Sequence, residues 1–208
     1  MMSVHAVPDR GGGRPVWIGL GSNMGDRLGY LRRAVFALAV HPEIEVRKGS
    51  RIYETEYVGP GTQERYLNAC LELETFLEPG VLLAVLKGVE ERFGRMPAGH
   101  MKPRPIDLDI LLWRGRTSSD AGLTIPHPRA RERGFVLEPL AELAPQEIFP
   151  DSGETIGIAC AKIRRKSRAA VRLLASVDGS PVRLLPGGSG SCEPTREEWR
   201  AALAVHCR

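Results

Sequence analysis

The stretch "PRPIDLDILLWR" (residues 103–114) has the alternating pattern of a half-buried β-strand. Successive side chains of a strand point to opposite faces, so one face carries Ile106, Leu108, Ile110 and Leu112. The other face carries Asp107 and Asp109, and like charges at this spacing repel each other. The sequence therefore predicts a strand with one apolar and one acidic face, and the acidic face requires a positive partner.

The segments around this strand have clear helix or strand periodicity. Strand patterns cover residues 14–21, 44–55 and 66–75. Helix patterns follow Asp26, which can cap a helix, and Pro79, which suits a first turn. The order β-α-β-β-α-β predicts an α+β fold, a ferredoxin-like βαββαβ sandwich with extra C-terminal elements.

The helices of such a sandwich cover one face of the sheet and leave the other face open. The alternation along the strands predicts the side chains that share the open face: Trp17, Gly19, Gly21, Tyr66, Asn68, Asp107 and Asp109. We expect a functional site to be built on this shared face.

Composition limits the class of protein. The 208 residues carry a formal net charge of +4, which favours an anionic partner, either a phosphorylated small molecule or a nucleic acid. The four cysteines lack CxxC spacing, and no apolar run approaches the roughly 20 residues of a membrane span. We therefore expect a soluble, cytoplasmic protein without a disulfide framework.

The acidic pair has two interpretations. The aspartates are either solvated positions on an exposed sheet face or a site for Mg²⁺, which prefers oxygen ligands and often bridges substrate phosphates. Arginines favour the second interpretation, because guanidinium groups match phosphate oxygens in two-point contacts. They lie on segments that flank the strand, together with a loop histidine: Arg95, Arg104, Arg129, Arg131, Arg133 and His127.

Four motifs occur in a specific order: "GLGSNMGDR", "YLNACLELET", "FGR…RPIDLDILL" and "LTIPHPRARERGFVLEPLAELAP". Together they resemble the 6-hydroxymethyl-7,8-dihydropterin pyrophosphokinases of folate biosynthesis, over about residues 14–160. The resemblance implies a pyrophosphokinase domain at 14–163 and a partly flexible C-terminal extension at 164–208. The extension matches none of the family's motifs.

The resemblance also implies a reaction and a site. The β,γ-pyrophosphoryl group of ATP, the co-substrate, moves to the hydroxymethyl group of the pterin and AMP leaves, with two Mg²⁺ held by Asp107 and Asp109. Implied catalytic residues are Arg95, Arg104, Asp107 and Asp109, and implied ATP-binding residues are Glu90, Arg95, Arg104, Ile110, His127 and Arg133. Implied pterin-binding residues are Gly21, Thr55, Val58, Tyr66, Asn68 and Phe135. Glu90 would by its helix pattern alone be a solvated charge. The implied partners are small molecules, without nucleic acid or membrane, and we expect a monomer.

Two segments depart from the family pattern. The loop "RMPAGHMKPR" (95–104) lacks the second arginine or lysine and the tryptophan that the family usually carries, and Glu56 stands where a proline is common. These departures leave alternatives open. The chain could act on a different pterin alcohol, or be a scaffold that binds without transferring. An RNA-binding ferredoxin-like module is a more distant alternative, since two central carboxylates oppose a phosphate backbone.

Overall fold

The computed structural model describes residues 13–94, 103–120, 122–166, 171–175 and 182–185. The strands are β1 (Arg14–Ser22), β2 (Ile44–Gly49), β3 (Tyr53–Thr55), β4 (Tyr66–Thr75), β5 (Asp107–Trp113), β6 (Ser118–Asp120), β7 (Leu123–Ile125) and β8 (Val171–Leu173). The α-helices are α1 (Arg27–Ala39), α2 (Pro79–Arg92), α3 (Gly134–Leu143) and α4 (Ile156–Lys166). A short 3₁₀ turn, Ala130–Glu132, precedes α3.

One six-stranded antiparallel sheet organises the chain. Its order is β5-β1-β4-β3-β8, and β2 also pairs with β4. The central pair β1 and β4 runs in register from Arg14 opposite Thr75 to Ser22 opposite Leu67. A separate hairpin joins β6 to β7. This arrangement of an antiparallel sheet with helices confirms the α+β class.

Local sequence signals explain where the first two helices begin and end. The Asp26 carboxylate accepts a hydrogen bond from the backbone N–H of Gly29 at 2.9 Å, so it caps α1 as predicted. Pro79 lies in the first turn of α2, and Gly94, with a φ of 85°, follows its end. Both helices bury their leucine stripes against the apolar face of the sheet.

The predicted strand 44–55 is wrong in one respect, because it is divided into β2 and β3. Ser50 is fully buried between them, and its hydroxyl accepts the backbone N–H of Cys70 on β4 at 2.9 Å. A side chain thus takes a position that a strand carbonyl would occupy, which interrupts the ladder. Alternation does not reveal this kind of break.

The prediction of an open sheet face is also wrong at Trp17. Trp17 is only 1% exposed, because α3 and α4 fold back over it and form a second apolar core. Leu112 lies in this second core, on the face opposite to the predicted one. The cause is a register shift between β1 and β5, where Ile18 pairs with Ile110 and Trp17 pairs with Leu112. The extra residue, Leu111, reverses the alternation beyond it.

Within the described residues, no helix has the length and apolar character needed to cross a membrane. Cys70 and Cys160 are buried free thiols. Burial raises the pKa of both thiols, so they lack the properties of reactive cysteines.

Candidate functional site

A cavity of about 700 Å³ opens beside the part of the sheet that α3 and α4 leave uncovered. Most of the predicted site residues line it: Gly21, Thr55, Val58, Tyr66, Asn68, Arg104, Asp107, Asp109, Ile110, His127, Arg133 and Phe135. Glu90 lies behind the cavity wall instead. Arg95 and residues 96–102 of the altered loop lie outside the described residues. The predicted residues that line the cavity come from four strands, three loops and helix α3.

The acidic pair lies opposite two glycines. Asp107 pairs with Gly21, and Asp109 pairs with Gly19, across the β1–β5 ladder. A Cβ atom on Gly21 would lie 3.3 Å from Oδ1 of Asn68 and 3.9 Å from Cβ of Asp107. Glycine at this position therefore keeps the space between the acidic pair and Asn68 open.

The acidic pair has a positive partner within the protein. Nη1 of Arg104 donates to Oδ1 of Asp107 at 2.8 Å. Burial raises the pKa of Asp109, and the charge of Asp107 raises it further, while the charges of Lys87 and Arg133 oppose the shift. The neighbouring cations thus compensate the pair only in part, and a bound cation would favour ionisation of Asp109.

Glu90 is fully buried, so the default interpretation as a solvated charge is wrong. Its Oε1 accepts the backbone N–H of Leu108 at 2.6 Å and the Nζ of Lys87 at 3.0 Å. Lys87 Nζ also donates to the carbonyl of Leu108 at 3.2 Å. Because Leu108 lies between the two aspartates, this group fixes the part of β5 that carries them.

The "GSN" segment positions Arg104. Asn23 is almost completely buried, and its Oδ1 accepts the backbone N–H of Arg104 at 2.9 Å. The backbone N–H of Asn23 donates to the Arg104 carbonyl at 3.3 Å. Asn23 Nδ2 also donates to Gln63, which lies in the loop before β4. This asparagine therefore connects three segments that surround the cavity.

The loop before α3 contributes a basic wall. Nδ1 of His127 accepts the backbone N–H of Arg129 at 3.1 Å, so Nε2 carries the proton of the neutral imidazole. Burial lowers the pKa of His127, which keeps this ring neutral. Arg129 and Arg133 line the cavity, whereas Arg131 turns away and pairs with Asp151. Only two of the three predicted loop arginines therefore face the site.

A second part of the cavity lining combines aromatic and amide groups. Asn68 is buried and donates from Nδ2 to Oγ1 of Thr55 at 2.7 Å. The rings of Tyr57 and Tyr66 are stacked with their centroids 6.3 Å apart, and Arg133 lies over the ring of Phe135 at 5.6 Å. Such a wall can bind a flat heteroaromatic ring by stacking and hydrogen bonding.

The lining also includes residues that were not predicted, among them Leu83, Lys87, Thr124 and Tyr57. Lys87 lies one helical turn before Glu90, so the spacing on α2 could have identified it. Tyr57 lies two residues after Thr55 and could have been placed on its face by alternation. Leu83 and Thr124 reach the cavity only through tertiary packing, for which the sequence has no local signal.

The donor set at the acidic pair is compatible with Mg²⁺. Within the part of the chain that the structure describes, no group of three or more His, Cys, Asp or Glu side chains could hold a metal. Two carboxylates that face a cavity would leave most coordination positions to water and substrate oxygens. Mg²⁺ is commonly bound in this way, whereas a structural zinc site needs a closed set of ligands.

Comparisons with known proteins identify the family to which this chain is similar. The family model described as 7,8-dihydro-6-hydroxymethylpterin-pyrophosphokinase (HPPK) matches residues 17–145. A 2-amino-4-hydroxy-6-hydroxymethyldihydropteridine pyrophosphokinase from Synechocystis is 38% identical over 192 residues, covering 91% of each chain. The enzyme of that name from Bacillus subtilis is 45% identical over 130 residues, covering 62% of this chain and 78% of the relative. The Synechocystis alignment is too long to end at residue 165, so at least part of the extension has a counterpart in a relative.

Solved structures share the fold. A crystal structure of HPPK-DHPS in complex with substrates has a TM-score of 0.57 and 15% identity, and it covers 74% of this chain. The wild-type Plasmodium falciparum HPPK-DHPS with pterin and p-hydroxybenzoate has a TM-score of 0.58 and 14% identity, again over 74% of this chain. This chain spans less than half the length of either solved chain. On the family match and the curated relatives, the chain belongs to the 7,8-dihydro-6-hydroxymethylpterin-pyrophosphokinase family.

Proposed function

We propose that this chain transfers pyrophosphate from ATP to the hydroxymethyl group of 6-hydroxymethyl-7,8-dihydropterin, with release of AMP. The observation that carries the proposal is one cavity lined by the acidic pair, by basic side chains that include Arg104 and Arg133, and by aromatic and amide side chains that include Phe135 and Asn68. This arrangement suits two small substrates, one rich in phosphate and one flat and heteroaromatic. An acidic centre opposes a nucleic acid backbone, which further supports small-molecule substrates.

The fold and domain assignments support this proposal. The sheet order β5-β1-β4-β3, with α1 and α2 on one face, supports a ferredoxin-like arrangement. We assign pyrophosphokinase chemistry to residues 14–163, which include every residue that lines the cavity. We further propose a cytoplasmic monomer.

Asp107 and Asp109 would hold two Mg²⁺ ions. When bound, these ions would neutralise triphosphate charge and polarise the phosphorus that is attacked. The raised pKa of Asp109 supports the assignment, since a cation would relieve the repulsion within the acidic pair. The role of the protein is to present both carboxylates from one strand face, which Glu90 holds in place through Leu108.

Arg104, His127 and Arg133 would bind the nucleotide phosphates, with Ile110 beside the base and Glu90 supporting the site from behind. Arg95 is assigned to the same role by its motif alone. A guanidinium group stays charged and can follow the negative charge that develops on the transferred group. Neutral His127 would donate a hydrogen bond from Nε2.

Thr55, Asn68, Tyr66, Phe135, Val58 and Gly21 would bind the pterin. The hydrogen bond from Asn68 to Thr55 orients the amide and leaves Oδ1 of Asn68 toward Gly21 at the cavity wall. Phe135 and Tyr66 supply ring faces for stacking. The assigned residues do not include a general base, so the rate enhancement would come from positioning and charge neutralisation.

The test is a Mg²⁺-dependent assay of AMP release with the wild-type chain and the Asp109→Ala variant. We expect AMP release by the wild type and almost complete loss in the variant, with circular dichroism unchanged. Wild-type protein that does not turn over 6-hydroxymethyl-7,8-dihydropterin would refute the substrate. A fully active variant would refute the metal assignment.

A second candidate is the same transfer to a different pterin alcohol. The favouring observation is that Glu56 and Tyr57 line the cavity next to Thr55, in the segment that departs from the family pattern. Assaying AMP release with several pterin alcohols separates the two candidates. A higher kcat/KM with another alcohol would establish the second.

A further inference from the structure

We propose that a C-terminal clamp, residues 171–175 and 182–185, positions the pterin-binding wall of the cavity although it does not line the cavity itself. The inference rests on the proposed function, because it assigns the clamp to the pterin half of that site. The clamp contacts the break between β2 and β3, the strand β3 and the start of α3.

The clamp supplies hydrogen-bond partners for the backbone at the break between β2 and β3, residues 50–52. The N–H of Ile52 donates to the carbonyl of Val182 at 2.8 Å, and the carbonyl of Ile52 accepts the N–H of Leu174 at 2.8 Å. The carbonyl of Ser50 accepts the N–H of Leu184 at 3.0 Å. Ser50 and Ile52 are fully buried with the clamp in place, so the clamp provides the hydrogen-bond partners that these backbone groups require.

The clamp is anchored in the main core. Leu184 is completely buried, and Leu185 is 6% exposed. A Cβ atom on Gly49 would lie 2.5 Å from Cγ of Leu185, which is closer than such atoms approach one another. The absence of a side chain at Gly49 is therefore what allows Leu185 to pack at the end of β2.

The same clamp reaches both sides of the pterin wall. Its strand β8 is the edge neighbour of β3, with Val171 opposite Thr55. Cγ2 of Val171 also lies 3.5 Å from the position that a Cβ atom on Gly134 would occupy, at the start of α3. Thr55 supports Asn68, and Phe135 follows Gly134, so one residue of the clamp contacts the supports of two proposed pterin ligands.

The clamp residues are therefore positioning residues, and their effect on the two substrates should differ. Displacing the clamp should loosen Thr55 and Phe135, which lie on the pterin wall. The acidic pair and Arg104 are held separately, by Glu90 on β5 and by Asn23, whereas Arg133 adjoins the clamp contact at Gly134. We therefore expect a large loss of pterin affinity and a much smaller change in ATP affinity.

The test uses Gly49→Ala, which pushes against Leu185 without touching a cavity residue, with Gly80→Ala as the matched control. A Cβ atom on Gly80 meets no atom within 4 Å. In Gly49→Ala we expect the KM and equilibrium Kd for the pterin to rise about five- to tenfold, while the KM for ATP stays within about twofold. Adding Leu185→Ala should restore most of the pterin affinity, because it removes the overlap. Gly80→Ala should resemble the wild type.

Val171→Gly provides an independent variant that leaves Gly49 and both leucines intact, should Gly49→Ala fail to fold. A similar selective rise in the pterin Kd supports the clamp. Variants that lose thermal stability but keep the wild-type pterin Kd would overturn it. The proposed function is judged separately, since it fails only if the wild-type chain releases no AMP with the pterin.

Discussion

The backbone N–H of Leu108 donates to the carboxylate of Glu90 at 2.6 Å, and Leu108 is the residue between the two aspartates of β5. The acidic strand is thus fixed by a buried charge on α2 rather than by its sheet neighbour alone. A single helix residue therefore connects the core of the protein to the proposed metal site.

Replacing Glu90 by alanine should reduce both stability and activity. The change leaves the N–H of Leu108 without its buried partner and Lys87 without its carboxylate. We expect the free energy of unfolding to fall by about 1–3 kcal/mol, measured by urea denaturation, with a lower kcat. Glu91→Ala is the control, since Glu91 is exposed on the same helix. A Glu90→Ala protein as stable as this control would contradict the role of Glu90.

Replacing Asp109 by asparagine should stabilise the protein in the absence of divalent ions. Burial and Asp107 raise the pKa of Asp109, so the folded state favours the protonated acid. The stability that this preference provides is present below the ordinary pKa of 3.8 and is lost as pH rises through the raised value. At pH 7 the variant should therefore have the higher Tm, measured by calorimetry.

Adding Mg²⁺ should reverse the order of the Tm values of the wild type and Asp109→Asn. Binding to the folded state stabilises the wild type, and the variant lacks one of the two carboxylates. We expect a Tm that increases with Mg²⁺ concentration for the wild type and changes little for Asp109→Asn. Equal increases for both proteins would place the ions elsewhere.

Replacing Thr55 by valine should weaken pterin binding. The hydroxyl accepts from Nδ2 of Asn68 at 2.7 Å, and without it the buried amide loses its orientation. We expect the KM for the pterin to rise about tenfold, with the KM for ATP unchanged. Thr75→Val is the control: it removes a hydroxyl at the far end of β4 that donates to the carbonyl of Glu43. An identical pterin KM in both variants would exclude this role for Thr55.

Replacing Tyr53 by phenylalanine should lower the stability of the protein at neutral and mildly alkaline pH, but not at strongly alkaline pH. The hydroxyl of Tyr53 donates to Glu142 at 2.9 Å, and burial, followed by this hydrogen bond, raises the pKa of Tyr53 from 10.0 to about 12. Because the folded state binds this proton more tightly, the contribution is complete below pH 10 and is lost as pH rises through 12. The free energies of unfolding of the two proteins, measured by urea denaturation, should differ by about 1–2 kcal/mol at pH 8, and the difference should shrink at pH 11. A constant difference would contradict this assignment.

The sequence was sufficient to predict the regular part of the fold. Strong alternation located β1, β4 and β5, and capping residues located α1 and α2, because these signals are local. The same alternation placed Asn68 and Asp109 on one face, where the structure has the cavity.

Other features depend on tertiary contacts and could not be predicted in this way. The division of β2 from β3 depends on the hydroxyl of Ser50 meeting a strand that is distant in sequence. The burial of Trp17 depends on where α3 and α4 dock, and the burial of Glu90 depends on its contact with Leu108. Neither hydrophobic periodicity nor residue type contains that information.

The extra residue in β5 has a consequence for how the site can change. Leu111 contributes to both the second core and the cavity wall, and its Cδ2 would lie 3.1 Å from a Cβ atom on Gly19. It therefore separates the cavity from the second apolar core. Because the alternation of side chains reverses at Leu111, residues of the second core can differ in size without changing the direction of the Asp109 side chain. The packing of the second core can thus change independently of the acidic pair along a single strand.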